Sequence, residues 1–172
     1  MRTKLSLLVC ISIMLITFTG CPYESNIPLG DAKDSEIDPQ LLGTWIIRNA
    51  EIKSRYDTII FKRFNEHEYY LESHEMKNGK PFTDRGRGFI IRIDGHKILN
   101  LSSLNQPEQF FFATYQCSGD HCITRYASDH YIKTEFRTAD AFREYFKIHM
   151  EKAGFFEEGD TLIRLHPINQ GN

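Results

Sequence analysis

The sequence predicts a mainly β domain: an antiparallel, up-and-down barrel of about eight strands with one C-terminal amphipathic α-helix and a short final strand. Three observations lead to this prediction. From Leu41 onward, short apolar or alternating runs are separated by frequent turn signals, which is typical of a β meander. One later stretch has helical periodicity instead. Consecutive strands with short connections tend to close into a barrel, because closure removes edges that invite aggregation.

The strand prediction depends on the turns between the apolar runs. Asn78-Gly79 and Asp94-Gly95 are the strongest signals, because both central residues of a type I′ turn adopt positive φ. Alternation at Phe89, Ile91 and Ile93 supports a strand with one apolar face. We expect strands near residues 44–52, 56–63, 67–76, 85–94, 96–103, 109–117, 121–127 and 130–136.

Thr138 to Ala153 predict one amphipathic helix. Apolar and aromatic residues recur there at helical spacing, at Ala141, Phe142, Tyr145, Phe146, His149 and Met150. Thr138 can cap the first turn, and Gly154 can end the helix. The helix needs an apolar surface to cover, and Phe110-Phe111-Phe112 offers one. A last short strand is expected over Thr161 to Leu165.

The first twenty-one residues predict export and a lipid anchor. Arg2 and Lys4 precede the apolar run Leu5 to Phe18, which has the length of a secretory signal and is shorter than the roughly 20 residues that cross a bilayer. The run ends in Thr17-Phe18-Thr19-Gly20-Cys21, which resembles the lipobox of bacterial lipoproteins. This resemblance implies that residues 1–20 are removed and that Cys21 carries the lipid. The alternative is ordinary secretion with Cys21 as an unmodified thiol.

The chain therefore divides into a signal peptide (1–20), a lipidated N-terminus with a flexible tether (21–39) and one domain (40–172). Residues 22–39 contain Pro, Gly, Ser, Asp and Asn with few large apolar groups, which is the composition of a tether. The remainder has the length of a single domain. We expect the protein in the bacterial cell envelope, held by its lipid and facing the periplasm or the exterior. The sequence does not choose between the inner and the outer membrane.

The charge distribution argues against nucleic acid as a partner. The chain has a formal charge of −2, and loss of Arg2 and Lys4 with the signal makes the remainder more acidic. Basic residues are scattered among acidic neighbours and form no stripe.

Two cysteines remain when Cys10 and Cys21 are set aside. Cys117 and Cys122 flank Ser118-Gly119-Asp120-His121, which looks like a hairpin turn, so the two thiols would face each other across neighbouring strands. In an exported protein such a pair favours a disulfide. The alternative is a metal site from Cys117, His121 and Cys122, but adjacent ligands in a tight turn rarely reach tetrahedral geometry.

The segment Leu41-Leu42-Gly43-Thr44-Trp45 resembles the Gly-x-Trp opening of the lipocalin and wider calycin families, and the order of strands, helix and final strand looks like theirs. The resemblance implies that Gly43 and Trp45 lie at the closed end of the barrel, with the tryptophan against a late arginine. Arg137 and Arg164 are the two candidates. The chain also resembles uncharacterised bacterial lipoproteins that pair Leu-x-Gly-x-Trp with a later Thr-Ala-Asp helix start, which implies no activity.

No stretch of the sequence predicts catalysis. Glu68, Glu72 and His74 share one face of a strand, where a metal or acid–base site competes with a solvated face. The solvated face is favoured, because the His-Glu-x-x-His spacing of a metal site is missing. Asp129-His130 has no Ser or Cys nucleophile in a recognisable elbow beside it. We expect no catalytic residues, no metal and no cofactor, and hence no enzyme.

Two functions follow from barrel order and aromatic content. The leading hypothesis is a lipid-anchored envelope protein that binds a small apolar or amphipathic ligand without catalysis. The alternative is a structural or partner-binding envelope lipoprotein with a filled barrel, whose outer face engages another envelope protein. Eight-stranded barrels occur both filled and with a ligand cavity.

Overall fold

The computed structural model describes residues 22–48 and 57–165. The expected signal peptide, the expected lipid attachment site Cys21 and the predicted turn at residues 53–55 lie outside the described residues. The chain forms β1 (Glu24–Ser25), a 3-10 helix (Ala32–Asp34), β2 (Gly43–Arg48), β3 (Asp57–Arg63), β4 (Tyr69–Lys77), β5 (Lys80–Ile93), β6 (His96–Ser103), β7 (Gln106–Ser118), β8 (His121–Ala127), α1 (Ala139–His149) and β9 (Phe156–Arg164).

Eight of these strands close into an antiparallel barrel. The sheet order is β7-β6-β5-β4-β3-β2-β9-β8, and β8 pairs back with β7 to complete the ring. Each barrel strand neighbours the next one in the chain, with α1 inserted between β8 and β9. The prediction of a mainly β, up-and-down barrel with one helix and a final strand is confirmed. The short β1 pairs with β7 at Phe110 and Phe111, on the same edge as β8 and opposite β6.

The predicted strand at residues 130–136 is wrong. These residues lie in a turn and in irregular backbone, and Ile132 is buried beside the helix. The eighth position of the barrel belongs instead to β9, which pairs with both β2 and β8. Because β9 pairs with the free edges of β2 and β8, neither strand has an edge left with which residues 130–136 could pair. The final strand is accordingly longer than predicted.

The barrel has two distinct ends. The β3–β4, β5–β6 and β7–β8 connections meet where β2 begins and β9 ends, and we call this the closed end. The β4–β5 turn at Asn78-Gly79 and the β6–β7 turn at Leu104-Asn105 lie where β8 ends and β9 begins, and we call this the open end. Asn78 and Asp94 both have positive φ, at 52° and 46°, as their predicted turns require.

Helix α1 covers the outside of the barrel as expected. The Phe112 ring on β7 lies 5.0 Å from the Phe142 ring and 5.7 Å from the Phe146 ring, in edge-to-face contacts. Thr138 caps the helix by accepting the Ala141 N–H at 3.2 Å. The surface offered by Phe110-Phe111-Phe112 is therefore the one that the helix uses, through its central ring.

The predicted tether is wrong for residues 22–39, which belong to the folded domain. Leu29 is 0% exposed, and its N–H donates to the Asn100 Oδ1 at 2.9 Å. The Tyr23 ring packs against Phe112 and Phe142. This segment has few apolar residues, but Leu29 and Tyr23 both pack against the barrel or the helix. We refer to residues 22–42 as the N-terminal strap.

Candidate functional site

The interior of the barrel is the candidate site, and its closed half is filled. Alternate residues of each strand point inward, and those nearest the closed end form one buried cluster. Its members are Leu41, Trp45, Phe61, Tyr69, Leu71, Ile90, Leu99, Cys122 and Leu162. Trp45 and Tyr69 are fully buried. These large side chains fill the closed half of the interior by packing against one another.

Arg164 is the arginine that packs on Trp45. Its guanidinium lies 4.1 Å from the centre of the Trp45 ring, and it donates to the Leu42 and Gln40 carbonyls at 2.7 Å each. Arg137, the other candidate, directly precedes the cap of α1 instead. Gly43 has φ 129°, and a Cβ there would lie 2.9 Å from Arg164 Nη1. Glycine at this position gives the arginine room over the ring.

A buried carboxylate fastens the strap across the closed end. Asp38 Oδ2 accepts from Lys97 Nζ at 2.5 Å and from the Tyr115 hydroxyl at 2.7 Å. The Tyr69 hydroxyl donates to the Asp38 carbonyl and accepts its N–H. Three strands, β4, β6 and β7, thus converge on one loop residue. Sequence reasoning missed this site, because an aspartate in a polar loop gives no signal of its own.

The charge state of Asp38 follows from these contacts. Burial acts to raise its pKa, but hydrogen bonds from Lys97, Tyr115 and the Gln40 N–H outweigh burial and hold the pKa below its ordinary value. Burial raises the pKa of Tyr69 to about 12. The closed end therefore holds an ionised carboxylate with neutral phenols around neutral pH.

Cys117 and Cys122 form the predicted disulfide. The pair joins β7 to β8 next to the closed end, where the two residues face each other in the ladder. Cys122 is fully buried in the interior cluster, and Cys117 packs against it. Over residues 22–48 and 57–165, no group of His, Cys, Asp or Glu is arranged to hold a metal ion.

The open half of the interior is less tightly covered. Ile47, Ile59 and Leu101 pack against the buried cluster but are only partly buried. Ile47 lies two residues beyond Trp45 on β2, toward the open end, and faces Leu162 across the β2–β9 ladder. These side chains form the apolar part of the lining in this half of the interior.

Two polar side chains, Tyr126 and Asp160, complete this lining. The Tyr126 hydroxyl on β8 lies 3.5 Å from Asp160 Oδ2 on β9, and Thr124 Oγ1 bonds the Asp160 N–H and C=O at 2.9 Å each. Gly159 permits this close approach of β9 to β8, because a Cβ at position 159 would lie only 2.7 Å from Thr124 Oγ1. We call the set Ile47, Ile59, Leu101, Tyr126 and Asp160 the open cup.

Asp160 and Tyr126, which form the polar wall of the open cup, both have raised pKa values. Burial raises the pKa of Asp160, and the negative charge of Asp57 adds to this effect. Burial raises the pKa of Tyr126 to about 12. The wall is therefore acidic and partly desolvated.

The titratable groups considered for catalysis lie on the outside. His74 Nε2 pairs with Glu72 Oε1 at 3.0 Å, Arg85 Nε lies 3.6 Å from the same carboxylate, and Glu68 pairs with Arg87. These ion pairs occupy the solvent face of β4 and β5, as the alternation of β4 suggested. Asp129 and His130 lie in the turn after β8, with His130 about half exposed.

Comparison of the chain with family models, with curated proteins and with solved structures finds no match. In the part of the chain that the structure describes, no helix combines the length and the apolar composition needed to cross a bilayer.

Proposed function

We propose that this chain is a lipid-anchored envelope protein whose lipocalin-like barrel binds a small amphipathic molecule in the open cup. The observation that carries the proposal is the contrast within the barrel. The closed half is sealed by Trp45, Arg164 and the strap, whereas apolar side chains in the open half keep part of their surface uncovered.

The apolar part of the open cup supplies the binding free energy in this proposal. Covering apolar surface contributes about 25 cal/mol per Å², and Ile47, Ile59 and Leu101 offer such surface on three different strands. Barrels of eight strands are wide enough to hold one small ligand when bulky side chains do not fill them. The sealed closed end limits the ligand to the open half.

The polar wall selects among head groups. Asp160 and the nearby Asp57 would repel a carboxylate in a partly desolvated site, where charges interact more strongly than in water. The Tyr126 hydroxyl and the Asp160 carboxyl accept hydrogen bonds from an alcohol or an amine. We therefore expect long-chain alcohols and amines to bind more tightly than fatty acids of equal length.

The lipocalin-like assignment is supported by the closed end. Gly43-Thr44-Trp45 opens the first barrel strand, and a late arginine stacks on the tryptophan, as the resemblance implies. These residues support the kinship, although no family match accompanies them.

The lipid anchor is supported by the sequence of residues 1–21. Mass spectrometry of the N-terminal peptide from the membrane fraction tests it. We expect Cys21 as the first residue, carrying a diacylglyceryl group and an N-acyl chain or free amine. An unmodified Cys21 would overturn the anchor.

The ligand is tested by titrating the mature protein with a fluorescent apolar probe and displacing it with alcohols, amines and fatty acids. We expect Ile59→Trp, which places a larger ring in the open cup, to weaken binding by about tenfold or more, since filling the site removes the ligand's contacts. Ile60→Trp is the matched control, because Ile60 is the next residue and faces outward. Equal affinity in the two variants would contradict the proposal.

A second function is favoured by one observation on the outer face. Ile46, Ile60 and Ile163 are half-buried there and Ile123 is more than half exposed, on the adjacent strands β3, β2, β9 and β8. Residues Thr44, Thr58 and Thr161 lie between them. An apolar band of this kind suits contact with another envelope protein. Crosslinking from position 123 in cells tests this alternative, and recovery of one dominant protein would favour it.

A further inference from the structure

We propose that the open end of the barrel rests on a lipid bilayer, with the β4–β5 and β6–β7 hairpin tips in the head-group region. The inference rests on the proposed anchor at Cys21 and adds an orientation to it. It also names the source of the ligand, because the open cup would then open toward lipid.

The hairpin tips at the open end carry exposed apolar side chains. Met76 and Phe82 flank the Asn78-Gly79 turn and are 45% and 37% exposed, and Leu104 in the β6–β7 turn is 46% exposed. Two separate hairpins thus present large apolar groups at the same end of the barrel. Exposing this apolar surface to water costs free energy, and that cost falls when the side chains lie at the boundary between head groups and acyl chains.

Lysines accompany these apolar side chains. Lys77 and Lys80 face each other across the β4–β5 turn, and Lys77 Nζ lies 4.0 Å from the centre of the Phe82 ring. Lys77 also pairs with Glu75 at 2.8 Å, so the hairpin tip is not purely basic. Lysine stems can lie along apolar surface while the ammonium groups reach phosphates. Lys80 provides that contact at the tip.

The position of the strap selects this end over the other. Pro22 bridges to Ser128 directly after β8, and the Tyr23 N–H donates to the Ala127 carbonyl at 2.7 Å. Only Cys21 separates this fixed point from the lipid, and one residue spans at most about 3.6 Å. Acyl chains on Cys21 therefore enter the bilayer beside the open end of the barrel, with no linker that would let the domain turn over.

Apolar exposure alone would not have selected the open end. Phe64, in the β3–β4 connection at the closed end, is 55% exposed, with the Arg87 guanidinium 4.3 Å from its ring centre. The anchor point distinguishes the two ends, and Phe64 supplies a matched control of similar chemistry at the end that should face away from the membrane.

Tryptophan quenching by brominated lipid tests the orientation in the full mature, acylated chain. Phe82→Trp, Leu104→Trp and Phe64→Trp are each reconstituted into phosphatidylethanolamine–phosphatidylglycerol vesicles with dibrominated acyl chains. The sole native tryptophan, Trp45, is buried at the closed end and provides the baseline. We expect the added emission at positions 82 and 104 to be quenched at least about threefold more than at position 64, because quenching requires contact with acyl chains.

Vesicle flotation of the same samples separates failure of the orientation from failure of the anchor. If the protein floats with the vesicles but position 64 is quenched as strongly as positions 82 and 104, the orientation is overturned and the anchor stands. If the acylated preparation does not float, the anchor fails and the orientation falls with it. Quenching confined to positions 82 and 104 in floated protein supports both.

Discussion

At the scale of single residues, Asp38 shows how a loop can be tied to a barrel by one carboxylate. Its contacts with Lys97, Tyr115 and Tyr69 come from three strands that are separated in the sequence. Removing one partner of such a partly buried pair leaves the other charge without compensation, which costs more than the pair itself contributes. The seal at the closed end therefore depends on the ionised form of Asp38.

We expect Asp38→Asn to lower the free energy of unfolding by about 2 kcal/mol at pH 7, because Lys97 loses its counter-charge. Since the pKa of Asp38 is lower in the folded than in the unfolded protein, its stabilising contribution is present above the ordinary value of 3.8 and is lost as the pH falls through the folded value. The difference between the two proteins should shrink in that acidic window. Urea unfolding at a series of pH values measures it.

Asp31→Asn is the control for this experiment. Asp31 pairs with Lys33 on the surface and caps the 3-10 helix, and asparagine can also cap. Hydrogen bonds from the Lys33 N–H and side chain also hold the pKa of Asp31 below its ordinary value, but the site is exposed, so we expect a smaller change in stability than for Asp38→Asn at each pH value. A difference for Asp38→Asn that stays constant as the pH falls below 3.8 and until the protein unfolds would contradict the ionic role.

Residue pairs were predictable where they are close in the chain or carry a motif. The Cys117–Cys122 disulfide spans one hairpin, so its partners were fixed by a local turn. The resemblance led to Trp45 but left Arg137 and Arg164 open, because the choice depends on which strand ends beside the tryptophan. Asp38 and Asp160 could not be found, since their partners lie on strands whose register the sequence does not define.

At the scale of elements, the N-terminal strap departs most from expectation. Few apolar residues suffice for docking, because Leu29 and Tyr23 are both used and the backbone finds partners on the barrel. Composition averages over a segment, whereas docking depends on individual side chains. For this reason a tether-like composition did not exclude a folded segment.

Truncation of Leu29 tests whether the strap contributes to the stability of the domain. We expect Leu29→Ala to lower the free energy of unfolding by about 2–5 kcal/mol, as for other fully buried leucines. Thermal and urea unfolding of the mature chain measure the change. Lys33→Ala, at an exposed position of the same strap, should stay within about 0.5 kcal/mol of the native chain. Indistinguishable stability of the two variants would return residues 22–39 to the status of a tether.

Hairpins and the helix were predictable because their signals are local. The turns at Asn78-Gly79 and Asp94-Gly95 and the periodicity of residues 139–149 define β4, β6 and α1 within a few residues, whereas β5 begins at Lys80, five residues before its predicted start at 85. The eighth barrel strand was wrongly predicted at residues 130–136 instead of at β9, because the pairing that decides it is not local. The start of β9, with Glu157, Glu158 and Asp160, has a polar pattern, and only its pairing with β2 and β8 makes it a barrel strand.

At the scale of the whole molecule, burial changes along the barrel axis. The closed end combines the tryptophan, the arginine, the disulfide and the strap, and the open end keeps apolar and acidic side chains partly accessible. The barrel itself was predictable from strand order, but the open cup was not, because a shift of one residue in register would exchange inward and outward side chains. The proposed ligand site rests on that difference between the two ends.

Isoleucine methyl NMR of the mature protein titrated with a long-chain amine tests the central claim most directly. The chain carries isoleucines on both faces of adjacent strands, so each outward side chain serves as a control for its inward neighbour. We predict that the methyl signals of Ile47 and Ile59 shift and saturate together, while those of Ile46, Ile60 and Ile163 stay in place. Unchanged signals at Ile47 and Ile59 up to the solubility limit of the amine would contradict a ligand site in the open half of the barrel.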